Sequence, residues 1–374
     1  MIHTREINDF EELTHYRMAW NALWPQTRNA TFFQSFDWLE TYWRHFGANQ
    51  RLRVIMVFDG AHPVGIMPLV VRTESTRVGR LRMLTYPLHD WGTFYGPIGP
   101  GPSATMLLAL RHVRETARDW DLLDLRWIDQ DGCDYSRTPT AMRLAGFHPH
   151  RQAWNRAAVV DLQGTWDAYW QGQPKRWRRD VDRVTQRLAG QGDLRLVRYR
   201  PEGAACGDGD PRWDLYDACA DLAQKSWQGE SIDGTTLCHP SVAQYLRDAH
   251  AAAARIGNLD LNLLTLSGRP IAFAYNYCCH GRVCGLRKGF DPQFAHFRPG
   301  IVLQRMLIED SFRRGDSHFD MGAGHLESKL AWQTGLVTSY RYTHFPLSVP
   351  RAQVLRLKRW LQSRLAGQHD VACA

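Results

Sequence analysis

Two places in the sequence join a glycine-containing loop to the start of an amphipathic helix, and either could bind an anion. The first N–H groups of a helix have no intrahelical partner, and the helix dipole favours negative charge there. The first junction, over 96–103, carries Pro97, Pro100 and Pro102. Each proline removes an N–H donor, which makes a poor phosphate cradle. The second, over 297–302, loses one donor, at Pro299, where a first helical position tolerates it. Phe297, Arg298, Gly300, Ile301 and Val302 therefore form the candidate anion-binding set, with Gly300 for close backbone approach and Arg298 as a charged clamp.

The cysteines at 133, 206, 219, 238, 278, 279, 284 and 373 contain no CxxC pair, so neither a zinc knuckle nor a disulfide framework is written here. Free, mostly buried thiols in a reducing cytoplasm are expected, with no metal site. Cys278 and Cys279 point to opposite faces of a strand, and no histidine is spaced to activate a thiol. A covalent thiol mechanism is excluded on these grounds.

The elements that must position the anion site follow a plan that occurs twice. In the first half the spacing predicts a helix over 35–46, strands over 52–58 and 64–71 around Asp59-Gly60, and a strand over 80–84. The proline-rich loop, a helix over 103–119 and an apolar strand over 122–128 follow. In the second half a helix over 241–255 precedes strands over 259–266, 271–279 and 283–289. The loop ending in Arg298-Pro299-Gly300, a helix over 301–314 and a short strand over 318–321 complete it. Two copies of this order argue for a duplicated α+β unit. Between them lie a strand over 156–161, a helix over 174–188, a strand over 193–200 and a helix over 213–227. The stretch 201–211 reads as a linker or mobile loop. The segment 350–365 is a basic amphipathic helix with Val354, Leu357 and Leu361 on one side, expected to dock on the body rather than to anchor in a membrane.

A chain of 374 residues favours two domains. Its 44% hydrophobic and 22% charged content excludes a disordered chain. No apolar run approaches the roughly 20 residues needed to span a bilayer, and no signal pattern opens the sequence. The formal net charge of +8, supplied mostly by arginine, favours an anionic partner.

Several strings, in this order and spacing, resemble the FemAB-like GNAT acyltransferases, a group that includes the CelD-type cellulose-biosynthesis proteins. Gly289-Phe290-Asp291 and Phe297-Arg298-Pro299-Gly300 are followed, after a helix, by Phe319-Asp320-Met321-Gly322-Ala323-Gly324 and Lys329-Leu330-Ala331-Trp332. Upstream the likeness takes in residues 175–183, Lys225-Ser226-Trp227-Gln228-Gly229 and Phe33-Gln34-Ser35-Phe36-Asp37-Trp38, and in all it covers roughly residues 30–345. The resemblance implies two tandem GNAT-like units, over 1–155 and 156–349, with the basic helix and tail over 350–374. The first would have a degenerate donor site, and the second would bind donor and carry the chemistry.

The family's pyrophosphate loop corresponds to 297–302, and this sequence departs from it by offering one glycine. That keeps two donors open, acyl-coenzyme A and the aminoacyl-tRNA of FemAB-type relatives. The basic residues of 175–187 could face tRNA, although Asp180 and Asp182 interrupt them and a solvated face explains them as well. Acyl transfer to an amine needs a neutral nucleophile, a stabilised oxyanion and a proton donor for the leaving thiolate. Asp320 is placed to act as base or to orient the amine, or else to cap the turn that follows it. Lys329, as a further catalytic candidate, and Lys288 could hold an anionic acceptor or donor phosphates, or be solvated. Trp227 could line the substrate site, although it and Trp332 read more naturally as core. The expected activity is direct N-acyl transfer from acyl-coenzyme A to an amine on a sugar, lipid or cell-envelope intermediate. Aminoacyl transfer, or a non-catalytic scaffold or nucleic-acid-binding protein, is the alternative.

Overall fold

A computed structural model describes residues 1–88, 91–129, 134–232 and 234–371. Cys133 and Cys373 lie outside the described residues; the six other cysteines are free thiols.

Twelve strands form one sheet: β1 (Ile2–Ile7), β2 (Gln50–Asp59), β3 (His62–Thr76), β4 (Gly79–Thr85), β5 (Leu122–Asp129), β6 (His150–Asp161), β7 (Leu194–Tyr199), β8 (Leu259–Leu266), β9 (Arg269–Cys279), β10 (Arg282–Phe290), β11 (His318–Ala323) and β12 (Gly335–His344). Their spatial order is β1-β2-β3-β4-β5-β12-β6-β11-β10-β9-β8-β7. The expected duplication is visible in it. Each half is an antiparallel meander followed by one parallel step, β4 to β5 and β10 to β11. A helix makes each crossover, Pro102–Glu115 in the first half and Pro299–Arg314 in the second. Both helices open on proline, whose missing N–H costs nothing there, and Gly315, at φ +73°, ends the second.

The middle of the sheet was not foreseen. β12 comes from the end of the chain yet lies between β5 and β6, antiparallel to both. β6 pairs with β11 of the second half. The expected division at 155/156 therefore falls inside a strand, and each half is completed by a strand beyond its own run of sequence. The halves also share a core: Trp38 meets Tyr245 edge-on with ring centroids 5.7 Å apart, and Phe33 meets Tyr277 in the same way. Ser35 caps the helix Phe36–Phe46 that carries Trp38, accepting from its N–H at 3.1 Å.

One local expectation is corrected: the stretch 201–211 joins no separate domains. It is folded on itself, with Gly203 N–H donating to the Asp208 carbonyl at 2.7 Å. The terminal helix Pro350–Val371 docks through Ala352 and Leu355, which are buried with Leu81, Met83 and Leu122. The side with Val354, Leu357 and Leu361 faces away and is 48%, 55% and 46% exposed. Two apolar stripes run along this helix, and the one with Ala352 and Leu355 is the one that packs on the sheet.

Candidate active site

β10 and β11 run side by side only from Arg282/His318 to Cys284/Asp320. A bulge in β10 between Gly285 and Arg287 then turns the strand away, and the two part into a V. Two glycines let the backbones touch at its apex. A Cβ on Gly285 would stand 2.7 Å from the Asp320 carbonyl oxygen, and one on Gly322 would stand 2.8 Å from that of Gly285. Gly322 also adopts φ +77°, where a side chain is strained. Beyond the apex, no described strand pairs with the edge of β10 that faces the cleft. The V opens into a cavity of about 500 Å³, between β10, the end of β11 and the first turns of the helix Pro299–Arg314.

Arg298, Gly300 and Ile301 line this cavity at the helix N-terminus. Arg298 caps the helix in the left-handed conformation, at φ 53°. Its guanidinium is held 2.5 Å from Asp180 on the helix Lys175–Ala189, so a donor phosphate would have to compete with that carboxylate. The other two members of the expected set do not line the cavity. Phe297 lies against His296, with ring centroids 3.9 Å apart, and under the Arg187 guanidinium. The Val302 side chain is wholly buried in the core of the second half.

Lys329, Lys288 and Trp227 come together on the cavity wall, joined by Trp332. Lys329 is buried, and its ammonium donates to the Gly322 carbonyl at 2.7 Å and to that of Ala323 at 3.4 Å. Burial, with some help from Lys288, lowers its pKa to about 8, and Asp320 opposes the shift. Lys288 is exposed to solvent within the cleft. Trp227 is 55% exposed and is therefore a wall residue, whereas Trp332 is buried against Trp177.

Strand alternation sends Phe319 and Met321 into this cavity and turns His318 and Asp320 to the opposite face. There Asp320 lines a second, smaller cavity of about 250 Å³. Its other walls are Asn29, Phe32 and Phe33 of the first half and Arg282 and Cys284 of the second. The carboxylate is buried and accepts the Gly322 N–H at 2.7 Å. Burial raises its pKa to about 6, against the smaller opposing effects of that hydrogen bond, Lys329 and Arg282. A carboxylate so tuned takes up protons near neutral pH. The thiols nearby are inert: burial pushes Cys284 and Cys279 up to about 12.

Sequence reasoning missed Gln304, which lines the larger cavity while buried and with its Nε2 unpaired. A signal existed, since a lone glutamine stands among Leu303, Leu307 and Ile308 on the buried side of the helix. It also missed Asn29, Phe32 and Arg282, which only the fold brings beside Asp320, and His318, which strand alternation alone sets on the face of Asp320. A further cavity of about 580 Å³ stands at the first repeat's proline-rich loop, with Pro97, Pro100 and Pro102 in its wall.

Residues 175–330 match the acetyltransferase (GNAT) domain family. No curated protein matches the sequence. Among solved structures, FemX superposes with a TM-score of 0.63 at 12% identity, covering 94% of this chain and 99% of FemX. The C-terminal domain of a putative lysylphosphatidylglycerol synthetase from Agrobacterium fabrum gives 0.55 at 10% identity, covering 91% of this chain and 95% of that one. A conserved protein of unknown function from Bacteroides thetaiotaomicron gives 0.51 at 10% identity, over 92% and 100%. At these identities the likeness is one of fold. The V between β10 and β11, with a helix N-terminus at its mouth, lies within residues 175–330, so this part of the chain is a GNAT-type acetyltransferase domain, and the chain as a whole shares the fold of FemX.

Proposed function

We propose that the protein transfers an acyl group directly from acyl-coenzyme A to an amine, on a sugar, lipid or cell-envelope intermediate. One observation supports the reading: a cleft and a smaller cavity lie on opposite faces of the sheet, lined by consecutive residues of β10 and β11 on either side of the point where the strands part. The cleft suits a long, amide-bearing thioester arm, because the unpaired edge of β10 can bond its amides as a strand would. The acceptor then enters from the Asp320 side. Donor binding and chemistry are assigned to the second unit, 156–349, and one wall of the acceptor cavity to the first, 1–155. The compartment assigned is the cytoplasm, where acyl-coenzyme A is found.

In this reading Asp320 takes a proton from the acceptor ammonium, which leaves a neutral amine. The amine nitrogen attacks the thioester carbon, and N–H groups of the free β10 edge receive the developing oxyanion. Collapse of the intermediate breaks the C–S bond. Lys329, with its pKa near 8, gives the departing thiolate a proton and regains one from the nitrogen through solvent. The raised thiol pKa values support direct transfer over a thioester intermediate on the enzyme.

A second reading, aminoacyl transfer from charged tRNA, draws on the helix Lys175–Ala189. Lys175, Arg176 and Arg179 are exposed on it and make no ion pair among the described residues, and the Asp180–Arg298 contact holds that helix beside the donor cleft. Thermal shift with acetyl-coenzyme A against charged tRNA separates the two. A ligand at about 100 times its Kd adds roughly 2.7 kcal/mol. Stabilisation by the coenzyme supports the first reading; salt-sensitive RNA binding without it supports the second.

A further inference from the structure

The terminal helix Pro350–Val371 leaves an apolar stripe uncovered. Val354, Leu357 and Leu361 recur at helical spacing and are each about half exposed, and Leu347, just before the helix, is 83% exposed. The stripe cannot roll inward, because the helix is fixed by its other side. Ala352 and Leu355 are buried against the sheet. Gln353 donates to the Phe345 and Pro346 carbonyls at 3.0 Å each, Arg359 donates to Thr343 Oγ1 at 3.1 Å, and Lys358 donates to the Arg77 carbonyl at 3.1 Å.

Cations surround the stripe. Arg351, Arg356 and Lys358 are exposed and make no ion pair among the described residues. Arg77 and Arg118 extend the charge onto the body, Arg118 by bonding Ser348 at 3.0 Å. No aspartate or glutamate occurs between Glu327 and Asp370. We infer that this face docks on the surface of an anionic phospholipid bilayer, with Val354, Leu357 and Leu361 entering the acyl boundary and the flanking cations meeting the headgroups. A second copy of the chain would bring like charges together. RNA would satisfy the cations and leave the leucines in water. Only the lipid surface satisfies both halves of the pattern. The helix is far too polar to cross the bilayer, and no described helix is long and apolar enough to do so. The inference is independent of which acyl donor is used.

Sedimentation of the full chain with vesicles tests it. Vesicles of phosphatidylglycerol and phosphatidylcholine in equal parts should bind the protein, with affinity falling about tenfold or more on phosphatidylcholine alone. The double variant Leu357→Ser/Leu361→Ser should lose about tenfold or more on the mixed vesicles, and Arg351→Ser/Arg356→Ser a similar factor. All four side chains are exposed, so the melting temperature should not move; if the leucine double variant melts lower, Leu357→Ser alone replaces it. Full binding by the leucine variants would overturn the proposal in favour of plain electrostatic adsorption. So would a dimer in vesicle-free solution that the same variants dissociate, or competition by RNA that abolishes vesicle binding while the leucine variants still bind RNA.

Discussion

Asp124 and Asp320 occupy the same place in the two repeats and are electrostatic opposites. Asp124 follows Leu123, which pairs with Leu84 across the first parallel step; Asp320 follows Phe319, which pairs with Val283 across the second. Both are buried, and burial alone would raise both pKa values. At Asp124 the Arg341 and Arg126 guanidiniums outweigh burial and hold the carboxyl well below the usual range, and Thr343 Oγ1 donates at 2.6 Å. At Asp320 no ion pair forms among the described residues, and the pKa rises to about 6. One repeat holds this carboxylate in an ion-pair cluster, and the other leaves it buried beside a cavity.

Replacement of Asp320 by asparagine keeps the shape and the bond from Gly322 but removes the basicity. Turnover should fall by roughly 10²–10⁴-fold with donor affinity nearly unchanged. Steady-state kinetics beside calorimetric titration of the donor checks both halves. Unchanged turnover would take Asp320 out of the mechanism.

The same substitution should stabilise the protein above neutral pH. The Asp320 pKa moves from 3.8 to about 6 on folding, so the folded state binds the extra proton and stability falls as pH rises through that window. Above it the ionised, buried carboxylate costs on the order of 3 kcal/mol. Urea unfolding of Asp320→Asn and the parent should therefore diverge at pH 8 and converge at pH 4.

Acyl transfer should have a bell-shaped pH profile. The rising limb reports ionisation of Asp320 near 6, and the falling limb reports loss of the Lys329 proton near 8. Lys329→Met should remove the falling limb and lower turnover. A profile that keeps both limbs in that variant would assign the acid elsewhere.

Arg298 is expected to leave Asp180 for a donor phosphate. Arg298→Glu should weaken donor binding by roughly ten- to a hundredfold, since a charge-assisted hydrogen bond is worth about 1.5–3 kcal/mol. Asp180→Asn frees the guanidinium and should strengthen it. Isothermal titration with coenzyme A reads both, and a loss of affinity in Asp180→Asn would mean the ion pair itself shapes the loop.

Arg341→Met strips Asp124 of its main partner and should cost about 3–5 kcal/mol of stability. Adding Asp124→Asn should restore much of it, a coupling that a double-mutant cycle in urea measures directly.

Short-range signals carried far in this sequence. The strand Leu259–Leu266 carries five leucines interleaved with Asp260, Asn262 and Thr265, and its ends match the expectation. The turn at Asp59-Gly60 and the proline start of the helix Pro299–Arg314 were equally legible. β12 was not, because a central strand reading Thr338-Ser339-Tyr340-Arg341-Tyr342-Thr343 looks polar until Asp124, far away in sequence, neutralises Arg341. The cavity wall facing Asp320 was hidden for the same reason: nothing local to Asn29 or Phe32 announces Asp320. On the terminal helix, periodicity found the apolar side chains but could not say which of two stripes faced the protein.

The placement of β12 also governs when the molecule can become whole. During synthesis β5 and β6 emerge early with facing edges open, and the strand that fills the gap between them is made almost two hundred residues later. Contacts so distant along the chain form slowly, and until then two hydrogen-bonding edges stand exposed to pairing with other nascent chains. A product cut short before Gly335 would lack the strand that joins its two repeats and would leave the sheet open at its middle.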